Sequence, residues 1–247
     1  MSTDIILVGT LHNRHADNTL YPAEQITKIL AGIAPKAILM DLPVDLAGTD
    51  GWLPSVVLER DVRPEFGAVL DAAHQLGVGV VPIDMADFAN RFDEVNRHKD
   101  DANEKLQTWR THLEQRESES PFLKVMSMAY ELGGIQRFFV RHSGAFTLNG
   151  EGFDRIVRMR HNIWHDLFPD ILKDNPNYAG LVQFWNAYHQ FWYDRNRAMI
   201  DHIIQVAEAF KGKRLAVVVG VEHRYLLHEL MPRRDDIVLR EFWEIDG

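Results

Sequence analysis

Short continuous apolar runs and stretches of helical spacing alternate at both ends of this chain, and the pattern changes in the middle. Ile5-Ile6-Leu7-Val8 is an unbroken apolar run, rich in β-branched residues and closed by Gly9. Such a run predicts a strand buried on both faces. Over 22–34 the residues Ile26, Ile29, Leu30 and Ile33 recur at helical spacing, with Pro22 in the first turn, which predicts an amphipathic helix. Ala37-Ile38-Leu39-Met40, ending at Asp41, reads as a second buried strand. Residues 64–76 read as a helix with Phe66, Val69, Leu70 and Ala73 facing inward. Gly79-Val80-Val81-Pro82-Ile83, ending at Asp84, is a third strand. Pro82 argues against a central position for it, because proline removes a ladder donor.

The last forty residues return to this pattern. Leu215-Ala216-Val217-Val218-Val219 is the most strand-like run and ends at Gly220; a helix over 222–231 comes next, and Ile237-Val238-Leu239 begins a final strand at a sheet edge. Residues 87–212 contain no buried-strand pattern. They hold polar and amphipathic stretches at 91–118, 121–141, 152–173 and 178–210, the last with the stripe Met199, Ile203, Val206 and Phe210. The expectation is one α/β domain over 1–247. It has a mostly parallel sheet flanked by helices, because alternating strands and helices imply βαβ crossovers. A long all-helical insertion, 87–212, separates the N-terminal βαβαβ part from the C-terminal strands. The cluster Phe184-Trp185, Tyr188, Phe191-Trp192-Tyr193 reads as core packing.

This layout gives the polar residues at strand ends their interest. His12 follows the first strand in Gly9-Thr10-Leu11-His12, Asp41 ends the second strand and Asp84 the third. His223 follows the 215–219 strand in Gly220-Val221-Glu222-His223. If the strands are parallel, all four project from one edge, where ligands of open α/β sheets bind. Two imidazoles with one or two carboxylates suit a divalent metal, with His12, Asp41 and His223 as ligands and Mn, Zn, Co or Fe as candidates. A metal there would activate water. Without one, a histidine would act as general base with a carboxylate orienting its other nitrogen. Glu222, beside His223, is a further ligand or base, or a helix N-terminal acid favoured by the dipole. Arg195 and Asn196 lie near the apolar stripe of the 178–210 helix, so one of them reaches the carboxylates or a substrate anion; the plainer reading pairs Arg195 with Asp194 or Asp201. His15 is a candidate neighbour of the site. His161 and His165 share a helix face but lack the glutamate of a His-Glu-x-x-His motif.

Composition narrows the partners. The chain has 247 residues, 46% hydrophobic and 26% charged, with a formal net charge of -9. No long basic run is present, which argues against nucleic acid as a partner. There is no cysteine, so disulfides, thiolate metal sites and a cysteine nucleophile are excluded. An acidic start with only four apolar residues after it does not read as a signal peptide, and no apolar stretch of membrane-spanning length occurs. The expectation is a cytoplasmic protein acting on a small molecule or peptide, without membrane contact. No glycine-rich dinucleotide fingerprint, P-loop or Gly-x-Ser-x-Gly elbow appears.

Three motifs in order, Gly9-Thr10-Leu11-His12, Arg195-Asn196-Arg197-Ala198-Met199 and Gly220-Val221-Glu222-His223, resemble the TraB/Tiki superfamily, with its erythromycin-esterase-like and ChaN-like relatives. The resemblance implies a metal-dependent hydrolase of the protease or esterase class. It places His12, Asp41 and His223 as metal or water ligands, with Arg195 and Asn196 orienting carboxylates or stabilising negative charge. Its pattern has a glutamate where this chain has Asp41, and a small residue where it has Glu222. The ChaN-like relatives are associated with haem or iron, so the resemblance also allows ligand binding without catalysis.

Overall fold

The computed structural model describes residues 2–60, 63–97, 104, 106–108, 111, 121–174 and 179–245. Five strands form one sheet: β1 Thr3–Thr10, β2 Ala37–Pro43, β3 Val80–Asp84, β4 Arg214–Gly220 and β5 Ile237–Glu241. Their order is β3-β2-β4-β1-β5, and every neighbouring pair runs parallel. The α/β class with a parallel sheet is as the alternating pattern predicts. Pro82 finds its explanation here, since β3 is an edge strand and a missing ladder donor is tolerated there.

The chain leaves a one-strand gap between β1 and β2, and β4 fills it. The register runs Thr10↔Gly220 on one side of β4 and Met40↔Val218 on the other. Both faces of the centre are buried, as the unbroken apolar runs require. Ile5, Leu7, Leu39, Leu215, Val217 and Val219 pack against Met199, Ile200, Ile203 and Ala207 of the helix Ala179–Ala209. The alternate residues Ile6, Val8, Ile38, Met40, Ala216 and Val218 are also fully buried, and the helix Glu24–Ile33 lies along β1 and β4. Burial of such a side chain contributes about 1.5–3 kcal/mol, so the central strands form a rigid platform for whatever projects from their ends.

The chain divides into two compact units: Met1–Ala86 with Phe138–Asp154 and Arg195–Gly247, and Asp87–Arg137 with Arg155–Asp194. Two pieces of the 87–212 span, 138–154 and 195–212, therefore group with the sheet. Among the described residues that span contains helices and no strand. The predicted helix over 91–118 is seen as Phe88–Asn96; most of its remaining length, with the chain up to residue 120, lies outside the described residues. The second unit has its own core of Phe122, Met126, Ile163, Phe168, Leu172, Leu181 and Phe184, with Trp185 and Tyr188 packed on it. The aromatic cluster of the long helix is thus core packing, as the sequence reads. No helix among the described residues is long and apolar enough to cross a membrane.

Candidate active site

Parallel strands in this register bring the two Gly-x-x-His turns side by side. Gly9 pairs with Val219 and Thr10 with Gly220, and the Val221 amide continues the ladder by donating to the Thr10 carbonyl at 2.9 Å. His12 opens a short 3-10 helix, His12–Asp17, in a left-handed conformation with φ of 51°. That region is uncommon for a residue other than glycine, with histidine among the better tolerated.

The His12 ring bridges two elements. Its Nδ1 donates to Glu65 Oε1 at 2.8 Å, while the ring is 43% exposed and Glu65 only 1%. Glu65 lies in the first turn of the helix Pro64–Leu76, where a carboxylate is favoured by the helix dipole. Burial works against a charged His12 ring. The Glu65 hydrogen bond and the negative charges of Asp41 and Glu65 outweigh that penalty, so the His12 pKa stands above the ordinary histidine value. His12 therefore stabilises the fold fully below its unfolded value near 6.5, and this contribution is lost as pH rises through the raised folded value.

The other ring edge explains one of the glycines. A Cβ built on Gly220 would stand 2.5 Å from His12 Nε2, so the imidazole sits where any other side chain would begin. The relation is reciprocal: a Cβ on Gly9 would meet Arg224 Cδ at 2.5 Å, Val221 Cγ1 at 2.8 Å and Asn149 Oδ1 at 2.9 Å. Each glycine is the seat of groups belonging to the other turn's neighbourhood. Gly220→Ala needs no change of backbone conformation and collides only with the end of a partly exposed ring. The expected result is a melting temperature within a few degrees of wild type and a His12 ring displaced by about 1 Å, a misplacement large enough to matter for a positioned group. A thermal melt and the His12 imidazole resonances on the same preparation check both halves.

The other predicted residues also find definite partners. Asp41 is buried, and its Oδ2 accepts the Gly220 amide at 2.9 Å, which ties β2 to the second turn. Asp84 is buried, accepting the Met85 amide at Oδ1 and Arg195 Nε at Oδ2, 2.7 Å. Burial raises the Asp84 pKa and the nearby Asp41 charge adds to this, against the opposing pull of Arg195. Arg195 thus reaches the Asp84 carboxylate at the end of β3. Asn196 is fully buried, and its Oδ1 accepts from His223 Nδ1 at 2.9 Å; that bond sets the His223 tautomer with the proton on Nδ1. Glu222 is half-buried in the turn before the helix Arg224–Leu230.

Among the described residues, no three of His, Asp and Glu form a group able to hold a metal ion. His12, Asp41 and His223 share the carboxyl edge of the sheet but do not gather as a ligand set. Each is bonded through one polar atom: His12 Nδ1 to Glu65, Asp41 Oδ2 to the Gly220 amide and His223 Nδ1 to Asn196. His15 is a structural residue. Its Nε2 accepts the Leu11 amide and its Nδ1 donates to the Tyr21 carbonyl, 2.9 and 2.8 Å, and burial lowers its pKa. His161 and His165 stack with ring centres 5.2 Å apart and planes 6° from parallel.

Sequence reading missed Glu65, Asn149, Tyr21 and Arg224. A first-turn glutamate after proline ordinarily reads as a dipole partner in water, and nothing in its spacing marks it as buried. No protein-family model, curated protein or solved structure matches the chain.

Proposed function

We propose that the protein hydrolyses an amide or ester bond of a small molecule or peptide, with His12 as the general base. The observation that carries this reading is the Glu65–His12 pair. A buried carboxylate holds Nδ1 at 2.8 Å and directs Nε2 over Gly220, at the carboxyl ends of β1 and β4. A base oriented this way, with its pKa raised above the ordinary histidine value by Glu65, supports about 10²–10⁴-fold of rate. The carboxylate keeps the proton on Nδ1 and stabilises the imidazolium that forms.

In the proposed reaction Nε2 takes a proton from water as the water oxygen bonds to the carbonyl carbon, and the carbonyl π pair moves onto its oxygen. Collapse of that adduct breaks the bond to the leaving alcohol or amine, which takes the proton back from Nε2. The products are a carboxylic acid and an alcohol or amine. Arg195 holds Asp84 and Asn196 holds His223, which gives both a positioning role. Hydrolysis agrees with what the TraB/Tiki resemblance implies. Among the described residues no three of His, Asp and Glu gather as the resemblance's metal site would require, and no step is routed through a metal.

The test is a pH–rate profile on p-nitrophenyl esters and amino-acid anilides, with and without chelator. The expected profile rises through one ionisation above 6.5, since the base works only when deprotonated, and chelator leaves it unchanged. Glu65→Gln removes the charge that raises the His12 pKa, so the rising limb should move to lower pH and the plateau should fall. Loss of the rate on chelation and its return with Mn, Zn, Co or Fe would overturn the metal-free reaction.

A further inference from the structure

A histidine in the left-handed region is strained, and such a conformation persists only where its surroundings over-determine it. The source of that constraint is a buried hydrogen-bond network behind the first turn. β5 pairs with β1 only as far as Leu7↔Glu241, so Gly9 runs past the end of its neighbouring strand. At Gly9 a side chain takes the strand's place. The Gly9 amide donates to Asn149 Oδ1 at 2.5 Å and Asn149 Nδ2 donates back to the Gly9 carbonyl at 3.3 Å. The Tyr21 hydroxyl donates to the same carbonyl at 2.8 Å. Asn149 is fully buried, with Nδ2 also on the Ala145 carbonyl at 3.0 Å, and its own carbonyl accepts from Arg224, next to His223.

The network closes on the far side of Thr10. The Tyr21 carbonyl accepts from His15 Nδ1, and His15 Nε2 accepts the Leu11 amide. The backbone is held at Gly9 and again at Leu11, and His12 is the next residue. We propose that Asn149, assisted by Tyr21, is a positioning residue for His12. Its carboxamide stands in for a missing strand and holds the turn that aims the imidazole at Glu65 and Gly220. This rests on the proposed role of His12, but its central measurement does not require activity.

The experiment tracks the His12 imidazole by nuclear magnetic resonance titration in wild type, Asn149→Ala and Tyr21→Phe, with kcat and KM for the best ester. In Asn149→Ala the His12 pKa is expected to fall toward about 6.5 as its bond to Glu65 loosens, with kcat down about tenfold and KM unchanged. Tyr21→Phe, which removes one of the two donors to the Gly9 carbonyl, should move the pKa the same way by less, and decides the matter if Asn149→Ala does not fold. A lowered melting temperature with an unaltered His12 titration would overturn the proposal and leave Asn149 a purely structural residue. If no substrate is turned over, the titration alone still decides it, and the failure then belongs to the hydrolase reading.

Discussion

His12→Asn is expected to lower the proposed hydrolysis by roughly 10²–10⁴-fold, the contribution of a positioned general base, with the protein still folded. Asparagine suits this test because, after glycine, it is among the residues best accepted at a φ of 51°, so the turn is kept and only the base is lost. The substitution has one side effect. It leaves the buried Glu65 carboxylate without the His12 donor, and Glu65 Oε2 already has no hydrogen-bond partner among the described residues. A buried acceptor stripped of its donor costs about 1–3 kcal/mol. The double variant His12→Asn/Glu65→Gln removes that charge and should regain part of the stability without regaining activity. Initial rates and thermal melts of wild type and both variants check this. Wild-type rates in a folded His12→Asn protein would remove His12 from the chemistry.

The second large effect is on stability. Arg224 is fully buried, and its Nη2 donates to Asp154 Oδ2 at 3.3 Å, to Glu241 Oε1 at 2.8 Å and to the Asn149 carbonyl. Burial raises the Asp154 pKa against the pull of Arg224. Burial would raise that of Glu241 as well, but its hydrogen bonds to His228 and Arg224 win and hold it low. Arg224→Met keeps much of the volume and deletes the charge, leaving the buried Asp154 and half-buried Glu241 carboxylates without the cation they share. Removing one partner of a buried ion pair costs about 3–5 kcal/mol, which for a chain of this size lowers the melting temperature by roughly 10 °C.

Glu241 sets the sign of the pH dependence. Its depressed pKa means that its stabilisation is present above the unfolded value and is lost as pH falls through the folded one. The deficit of Arg224→Met should therefore be largest near neutral pH and shrink in acid, where the carboxylates take up protons. Urea midpoints at neutral and mildly acidic pH measure this. Arg224→Met/Asp154→Leu/Glu241→Leu, which removes the whole cluster, should recover most of the loss, since replacing every charge with apolar groups is often neutral. An unchanged midpoint in Arg224→Met would show that the cluster contributes nothing.

Much of the site was legible from strand ends. The unbroken runs at 5–8, 37–40 and 215–219 specify buried parallel strands because a strand covered on both faces needs apolar side chains on both. Parallel strands in turn place His12, Asp41, Asp84 and Gly220 at one edge. The apolar stripe on the 178–210 helix placed Arg195 and Asn196 near the buried face, from which one of them was expected to reach the carboxylates or a substrate anion. Their partners were not legible. Arg195 bonds Asp84 from 111 residues away and Asn196 bonds His223 from 27, and no local periodicity encodes which of two edge carboxylates an arginine will meet.

What the sequence determined by itself was the set of residues that reach the carboxyl edge, since that depends only on strand periodicity and on where each run stops. What the tertiary structure decided was which groups those residues bond. Four strand ends carrying two imidazoles and two carboxylates suggested a metal. Packing gave each of three of them a separate partner, with Glu65, the Gly220 amide and Asn196 taking His12, Asp41 and His223. Glu65 is a polar residue on a helix whose burial depends on the neighbouring turn, and Asn149 stands in for a strand that ends early. Burial of polar groups is satisfied pair by pair in three dimensions, and that pairing leaves no periodic trace along the chain.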